Sequence, residues 1–269
     1  MRGISIPESS IPDCRKAFLL GAGLGTRLRP LTDSIPKCLV PIAGKPLLSI
    51  WLEICENLGI EDVLINTHYR AEQVENWAAS QRSPVKIRLA YEPHLLGSAG
   101  TVAAHRGFVA GTGSFFIFYA DNLARVDIKG LKDFHYCHQG LITLGLFRAS
   151  RPSECGIVSL DKEGRVTAFE EKPAKPASDM ANAGIFVARE ELFGCLPASP
   201  SFADFGKDVL PQLVGKMYGH LLPGYLVDIG TVENYQRAQD EWSRIEALNS
   251  ACGGATSRSA TRACSDQTP

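Results

Sequence analysis

Short apolar runs alternate with longer amphipathic segments through the first 150 residues, and this alternation constrains the fold more than any other feature. Apolar runs bounded by turn residues predict buried parallel strands, and the amphipathic segments between them predict helices. Such alternation predicts an α/β fold, with a mostly parallel sheet and helices on both faces. The predicted strands span 17–21, 62–68, 86–92, 114–122 and 141–147, and the predicted helices span 46–59, 71–80, 98–108 and 128–138.

After residue 150 the segments become shorter and richer in strands. The segment 155–173 predicts a β-hairpin that turns at Lys162–Gly164, and Thr231 predicts the cap of a last helix. Residues 249–269 are small and polar, and we expect a disordered tail because they can bury too little apolar surface. The other predicted elements are a strand at 181–188, a helix at 204–216 interrupted by Pro211, a strand at 225–230 and the last helix at 231–248.

The chain of 269 residues is of a common length for a single α/β domain. No hexapeptide repeat follows the predicted elements, so we expect no appended β-helix. We therefore divide the chain into an extension at 1–15, one domain at 16–248 and the tail at 249–269. Within the domain, a first part covers about 16–150 and a second part covers about 151–230.

Composition narrows the class of protein. Hydrophobic residues make up 45% of the chain, enough for a full core, and the formal net charge of -1 argues against a general nucleic-acid binder. No apolar stretch is long enough for a membrane span, and the N-terminal residues lack a signal-peptide core, so we expect a cytoplasmic protein. The eight scattered cysteines form no C-x-x-C pair, which favours reduced thiols over disulfides or zinc.

The strongest chemical signal is the segment GAGLGTRLRPLTDSIPKCL, which begins at Gly21 directly after the first predicted strand. A dinucleotide-binding loop needs a third glycine where this chain has Thr26. A Walker loop needs a glycine followed by Lys-Ser or Lys-Thr, and this segment has none. Both common phosphate-binding motifs are therefore disfavoured.

The same segment can still surround a polyphosphate. Its alternate glycines let the backbone approach a ligand closely and direct successive N–H groups at it. Arg27 adds a fork of donors that suits phosphate oxygens, and Lys37 adds a point charge on a backbone restricted by Pro36. The loop thus predicts a polyphosphate site with both fixed and movable positive charge.

Together with PKCLVPIAGKPLL at 36–48, the loop resembles the signature of the sugar-1-phosphate nucleotidyltransferases, or NDP-sugar pyrophosphorylases. The pattern is most similar to the mannose-1-phosphate and heptose-1-phosphate guanylyltransferase-like branch. The resemblance covers about 16–245 and is carried by five motifs. It implies a single Rossmann-like, glycosyltransferase-A-like mixed sheet flanked by helices, with a small sugar-binding part that contains the hairpin.

The resemblance assigns the nucleotide to two segments. The loop would bind the triphosphate, and EPHLLGSAGT at 92–101 would lie against the base, with Ser98 where the family more often has Thr. We expect Ser98 to cap a helix whose N-terminus also favours an anion. The nucleotide-binding residues implied are Gly21, Ala22, Gly23, Gly25, Thr26, Arg27, Glu92 and Gly97.

Two acids stand where the family binds Mg²⁺. Asp121 in FYADN follows a central strand, and an acid at the carboxyl end of such a strand faces the ligand crevice. Ala120 replaces the glycine usual there. Asp228 in VDIGT is the second acid. Two carboxylates suit Mg²⁺, which keeps substrate oxygens among its ligands.

The sugar phosphate would occupy the second part of the domain, at about 151–230. The motif FEEKPAKP carries Lys172 for the phosphate and Glu171 for a sugar hydroxyl. Gly156 in CGIV and Asn182 in NAGIFV would line the same pocket.

The implied reaction is attack by a sugar 1-phosphate oxygen on the α-phosphorus of a nucleoside triphosphate, with release of pyrophosphate. Arg27 and Lys37 would be the catalytic cations: Arg27 holds the leaving phosphates, and Lys37 lies between the phosphates of the two substrates. GTP with a mannose- or heptose-type sugar is the first interpretation. A uridylyl-, thymidylyl- or cytidylyltransferase for glucose 1-phosphate or an amino-sugar 1-phosphate stays open, as does a catalytically silent subunit that binds nucleotide-sugars. The sequence sets no oligomeric state.

Overall fold

The computed structural model describes residues 14–198 and 201–253. The strands are β1 (Lys16–Leu20), β2 (Pro41–Ile42), β3 (Lys45–Pro46), β4 (Asp62–Thr67), β5 (Lys86–Tyr91), β6 (Ser114–Tyr119), β7 (Asn122–Val126), β8 (Ile142–Arg148), β9 (Gly156–Leu160), β10 (Val166–Glu171), β11 (Met180–Arg189), β12 (Met217–Leu221) and β13 (Gly224–Asp228). The helices are α1 (Leu47–Asn57), α2 (Ala71–Ser80), α3 (Gly97–Ala104), α4 (Ile128–Tyr136) and α5 (Val232–Gly253).

A nine-stranded mixed sheet forms the centre of the molecule. Its first half is parallel, in the order β6, β1, β4 and β5. Strand β11 then runs antiparallel to β6 and joins the sheet to β8 and to the β9–β10 hairpin. The α/β class predicted from the alternation is confirmed, and the parallel half places the carboxyl ends of β1, β4 and β6 along one edge.

The central strands contribute apolar side chains to a hydrophobic core on each face of the sheet. In β1, Ala17 and Leu19 pack into one core, while Phe18 and Leu20 pack into the other. Helices α1 and α5 cover the first face, and α3 with the segment 205–213 covers the second. Burial on both faces explains why these strands are continuously apolar, and each fully buried large side chain contributes about 1.5–3 kcal/mol.

Two predicted helices differ from those observed. The segment 98–108 is helical only over Gly97–Ala104 and ends in a 3-10 turn at Arg106–Phe108. The segment 204–216 contains a π-helical turn at Phe205–Val209 and a 3-10 turn at Leu210–Leu213 instead of one α-helix. Pro211 has no N–H and its ring crowds the preceding turn, which prevents a regular helix there.

Four strands were not predicted: the two-residue strands β2 and β3, which pair with each other, and strands β7 and β12. Strand β7 follows β6 after a single turn, so its residues were merged with the end of the predicted strand 114–122. Strand β12 carries Gly219 at its centre, and glycine weakens a strand pattern. Strand β12 pairs with β8, and β7 pairs with β13 in a separate two-stranded ribbon.

The last helix begins as predicted and ends later. The Asn234 amide donates to Thr231 Oγ1 at 3.2 Å, which confirms the predicted cap. Helix α5 reaches Gly253, beyond its predicted end at 248, while the rest of the predicted tail and residues 1–13 lie outside the described residues. Among the described residues, six cysteines are free thiols, and no helix is both long and apolar enough to cross a bilayer.

The buried histidine of α4 makes stability depend on pH. His135 is fully buried against Thr143 Oγ1, 2.7 Å from its Nδ1, and burial together with the Arg189 charge lowers its pKa to about 3. In the unfolded chain His135 takes up a proton near pH 6.5, whereas in the folded protein it stays neutral down to about pH 3. The neutral buried histidine therefore stabilises the fold fully above about pH 6.5, and this contribution is lost as the pH falls towards 3. His138, whose pKa burial lowers to about 4, adds to the effect.

We predict that the free energy of unfolding of wild type falls with pH below about 6.5, by about 1.4 kcal/mol per pH unit for each proton taken up only on unfolding. His135→Gln should remove one such proton and give a shallower slope. Urea titrations at several pH values between 7 and 5 measure both slopes. Equal slopes in the two proteins would contradict the prediction.

Candidate active site

A two-stranded ribbon brings together two acids that lie more than a hundred residues apart in the sequence. Strand β7 begins at Asn122, directly after Asp121, and β13 ends at Asp228, which pairs with Asn122. The indole Nε1 of Trp51, from α1, donates to the Asn122 carbonyl at 2.8 Å and holds the ribbon against the core. The ribbon therefore places both predicted metal ligands at the edge where β6 ends.

Lys37 lies between these two carboxylates. Its Nζ donates to Asp121 Oδ2 at 2.9 Å and to Asp228 Oδ1 at 3.2 Å, and its side chain is only 5% exposed. Burial alone would lower the pKa of Lys37, but the two carboxylates outweigh it and hold the pKa above its usual value. In Asp228, burial would raise the pKa, and the nearby Lys37 charge reverses this and lowers it. Lys37 and Asp228 are therefore charged at neutral pH.

A short turn delivers the lysine to this position. The Leu39 amide donates to the Pro36 carbonyl at 2.9 Å, and the turn Lys37–Leu39 is buried. Its neighbour Cys38 is buried as well, and this raises the pKa of the Cys38 thiol to about 12. The thiol therefore stays protonated and does not act as a nucleophile, while the ammonium reaches the acids.

Arg27 reaches the same acids from the glycine-rich loop. Its Nη2 lies 3.6 Å from Asp228 Oδ2, and the side chain stays 66% exposed. The guanidinium lies over Gly230, where a Cβ would come within 2.8 Å of Nη2. Gly230, two residues after Asp228, thus makes room for the arginine, and Arg27 keeps donors directed at solvent.

The glycine-rich loop folds back on itself. Gly25 has φ 63° and a Cβ there would lie 2.9 Å from Thr32 Cγ2, so both its conformation and its surroundings require glycine. The Thr32 hydroxyl donates to the Gly25 carbonyl at 2.8 Å and closes the turn. Gly23 and Thr26 are exposed, while Ala22 is buried. The loop offers its outer backbone at 23–26 to a ligand.

The amide of Gly21 is already used within the protein. It donates to Asn66 Oδ1 at 2.9 Å, and Asn66 Nδ2 in turn donates to Glu92 Oε1 at 3.0 Å. The hydroxyl of Thr101 also donates to Oε1, and the Leu96 amide donates to Oε2 at 3.0 Å. Glu92 is 2% exposed and supports the segment 92–101 through these contacts. Its predicted place in the nucleotide site stays a prediction.

Asn66 was not predicted as a site residue, although its position in the sequence gives a signal for one. It is a polar residue near the carboxyl end of the parallel strand β4, after the apolar run 63–65, and ligand-site residues collect at such strand ends. Its side chain joins the start of the glycine-rich loop to the segment 92–101 through Gly21 and Glu92. No sequence pattern gives those two partners, because they come from separate segments.

Two amides near the N-terminus of α3 are already used within the protein and are not available to an anion. The amides of Ala99 and Gly100 both donate to the Ala203 carbonyl, at 2.9 and 3.0 Å. Gly97, with φ 72°, is needed because a Cβ would lie 2.5 Å from the same carbonyl. The chain thus satisfies two of the amides at this helix end with its own backbone, and the anion site expected there stays a prediction.

Ser98 also differs from its predicted role as a helix cap. Its hydroxyl donates to Asp204 Oδ2 at 2.9 Å and accepts from the Phe205 amide at 2.8 Å. The residue therefore ties α3 to the segment that follows residue 200. Asp204 caps the π-helical turn instead, with Oδ1 accepting from the Lys207 amide at 3.2 Å.

A cleft of about 380 Å³ gathers the residues predicted to bind the sugar phosphate. The partial burial of Glu171 raises the pKa of its carboxyl group. A Cβ at Gly156 or Gly206 would lie within 2.8 Å of Glu171 Oε2, so both glycines make room for this carboxylate. The predicted residues that line the cleft are Gly156, Glu171, Lys172, Asn182, Asp121 and Asp228, and Phe202, Asp204 and Lys207 also line it but were not predicted.

The two acids fit a hard divalent cation. They already converge on one positive charge, the Lys37 ammonium, and each keeps a carboxylate oxygen that Lys37 does not use. In the described part of the chain, no group of three or more His, Cys, Asp or Glu side chains could hold a metal. Two carboxylates suffice for Mg²⁺, which takes its other ligands from water and phosphate.

These features can neutralise and align phosphates without a nucleophile from the protein. A match to the family model described as "Nucleotidyl transferase" over residues 16–244 decides the family. The chain belongs to the nucleotidyl transferase family. This confirms the resemblance drawn from the five motifs.

Relatives of this chain include enzymes named mannose-1-phosphate guanylyltransferase. The chain is 31% identical over 227 residues to mannose-1-phosphate guanylyltransferase 1 of Arabidopsis thaliana, which covers 82% of this chain and 62% of that protein. It is 33% identical over 243 residues to mannose-1-phosphate guanylyltransferase of Mycobacterium tuberculosis, covering 88% and 67%. The chain thus spans about three fifths of the length of the first of these relatives.

Solved structures share the fold. HddC from Yersinia pseudotuberculosis complexed with GMP-PN superposes with a TM-score of 0.71 and 23% identity, covering 85% of this chain and 99% of that one. An apo UDP-glucose pyrophosphorylase superposes with a TM-score of 0.73 and 19% identity, covering 87% and 99%. At this identity the likeness concerns the fold, which is the Rossmann-like mixed sheet that the resemblance implied.

We predict that Asn66→Ala weakens the binding of a nucleoside triphosphate by about tenfold, because the Gly21 amide and the Glu92 carboxylate each lose a buried partner. Isothermal titration calorimetry measures the affinity, and circular dichroism shows whether the variant is folded. Asn57→Ala, at the exposed end of α1, is the matched control and should bind as wild type does. Unchanged affinity in a folded Asn66→Ala protein would contradict the role given to this side chain.

Proposed function

We propose that this protein is a sugar-1-phosphate nucleotidyltransferase that joins a nucleoside triphosphate, GTP, to a mannose- or heptose-type sugar 1-phosphate. The observation that carries the proposal is Lys37, held by Asp121 and Asp228 at the border of a cleft that contains Glu171 and Lys172. A buried cation held by two partly exposed carboxylates beside a cleft suits a reaction in which phosphate charge moves. The named relatives support the choice of mannose 1-phosphate and GTP.

The reaction needs no general base. An oxygen of the ionised sugar phosphate forms a bond to the α-phosphorus of the triphosphate, the bond from that phosphorus to the β-phosphate oxygen breaks, and pyrophosphate leaves with the electron pair. Catalysis then consists of alignment and charge neutralisation. Asp121 and Asp228 would hold Mg²⁺, which when bound supplies positive charge that offsets the charge of phosphate oxygens.

The chain's own residues supply the rest. Arg27 and the outer amides of the glycine-rich loop bind the β- and γ-phosphates, and the base lies against the loop that Glu92 supports. Lys37 is placed between the phosphates of the two substrates. Lys172 binds the sugar phosphate and Glu171 accepts from a sugar hydroxyl, beside Gly156 and Asn182. The division into a nucleotide part at about 16–150 and a sugar part at about 151–230 is included in the proposal.

The second candidate is an amino-sugar 1-phosphate uridylyltransferase. It is favoured by the carboxylates of Glu171 and Asp204, which both line the sugar cleft and would suit a positively charged or N–H-bearing substituent. Both candidates use small-molecule partners only, with neither nucleic acid nor membrane, and both act where nucleoside triphosphates are abundant. The free thiols fit a place in the cytoplasm.

A substrate screen tests the function. Pyrophosphate release is measured with Mg²⁺ for GTP, ATP, CTP, UTP and dTTP against mannose, heptose, glucose and glucosamine 1-phosphates. We predict the fastest turnover with GTP and mannose or heptose 1-phosphate. Turnover confined to UTP with glucosamine 1-phosphate would select the second candidate. Nucleotide-sugar binding without turnover for any pair would show a silent binding subunit.

We predict that Lys37→Ala and Asp121→Ala each lower turnover by about two orders of magnitude or more, the usual scale for lost charge stabilisation in a transition state. Steady-state kinetics with the best substrate pair measure the effect. Lys162→Ala, at the exposed turn of the β9–β10 hairpin, is the control and should keep the wild-type rate. Wild-type rates in both active-site variants would exclude the proposed mechanism.

A further inference from the structure

A second cleft adjoins the sugar cleft and has the opposite charge. It has a volume of about 400 Å³ and shares Lys172 and Asp228 with its neighbour. Five cationic side chains and two acidic ones line it, whereas two cationic and five acidic ones line the sugar cleft. The whole chain has a net charge of only -1, so the contrast between the two clefts comes from the local placement of charged residues and not from the overall charge.

Four arginines produce the positive charge, and they come from three separate parts of the chain. Arg27 belongs to the glycine-rich loop, Arg148 ends β8 and Arg151 lies in the connection that follows it, and Arg237 lies on α5. We call this group the arginine cleft. Only folding brings these residues to one place.

Each of these arginines has an acidic partner and keeps donors for a ligand. Arg148 pairs with Asp179 at 2.7 Å, and Arg237 lies 3.9 Å from Glu241; neither acid lines the cleft. The side chains of the four arginines remain between 50% and 66% exposed. Ion pairs as exposed as these contribute at most about 1 kcal/mol each to stability, so stability does not account for their convergence.

The chemistry of the cleft suits one product of the proposed reaction. Pyrophosphate carries several negative charges on two adjoining phosphates, and arginine binds phosphate oxygens in a bidentate manner. Arg27, the residue expected to hold the β- and γ-phosphates, lines this cleft and not the sugar cleft. The five acids of the sugar cleft outnumber its two lysines, so this cleft is less favourable for such a polyanion than the arginine cleft is.

We propose that the arginine cleft is a pyrophosphate-binding site, in which Arg148, Arg151 and Arg237 extend the site beyond Arg27. The proposal rests on the proposed function. In the forward direction the cleft receives the leaving group. In the reverse direction a pyrophosphate oxygen attacks the phosphorus of the nucleoside monophosphate unit of the nucleotide-sugar, the bond from that phosphorus to the sugar phosphate breaks, and sugar 1-phosphate leaves with the electron pair.

The test uses the full chain with Mg²⁺ in the reverse direction, with GDP-mannose or the nucleotide-sugar that the substrate screen selects. The double variant Arg151→Gln/Arg237→Gln should raise KM for pyrophosphate by about tenfold or more, because each lost charge-assisted hydrogen bond costs a factor of this order. KM for the nucleotide-sugar should not change. Arg165→Gln, an arginine of the hairpin that lies over Tyr218 outside the cleft, is the matched control.

Two results would overturn the inference while leaving the proposed function intact. One is an unchanged KM for pyrophosphate in an active double variant. The other is an effect confined to KM for the sugar 1-phosphate in the forward direction, which would make the cleft part of the sugar-phosphate site. Calorimetric titration of pyrophosphate into wild type and the double variant gives an independent readout. A wild-type protein inactive in both directions would overturn the proposed function and this inference with it.

Discussion

The ammonium of Lys37, buried between Asp121 and Asp228, is the interaction on which the rest of the site depends. A buried charge is costly unless opposite charges and hydrogen bonds surround it, so the three segments that carry these residues must meet. The β7–β13 ribbon brings the two acids together, and the turn after Pro36 brings the lysine to them. The same arrangement holds two carboxylates and one cation at the position where phosphates of two substrates would meet.

Charge is separated on either side of this group. The cleft with Glu171 and Asp204 is acidic, and the arginine cleft is basic, with Asp228 and Lys172 at their border. In the proposed reaction, the hydroxyl-bearing ring of the sugar 1-phosphate would occupy the first cleft, with its phosphate at Lys172 on the border, and pyrophosphate would occupy the second. The electrostatic field of the protein would then direct the sugar and the pyrophosphate to different clefts before any specific hydrogen bond forms.

Behind the site, buried polar side chains and backbone contacts fix the loops. Asn66 links the glycine-rich loop to Glu92, and the Ala203 carbonyl accepts from the Ala99 and Gly100 amides of α3. Such contacts leave few unsatisfied groups and keep the loops in one conformation. They also explain why this helix N-terminus, which sequence alone marks as an anion site, serves a structural purpose.

The sequence by itself determined the α/β class, the order of most strands and helices, the glycine-rich loop, and the chemical type of each predicted site residue. These features are local, since they depend on apolar periodicity, turn residues and short motifs. Tertiary structure alone decided that Lys37 contacts both acids, that Asn66 supports the loop, and that four arginines share one cleft with Lys172. Each of these facts is a contact between segments far apart in the chain, and only the packing of the sheet and its two cores sets the distances between them.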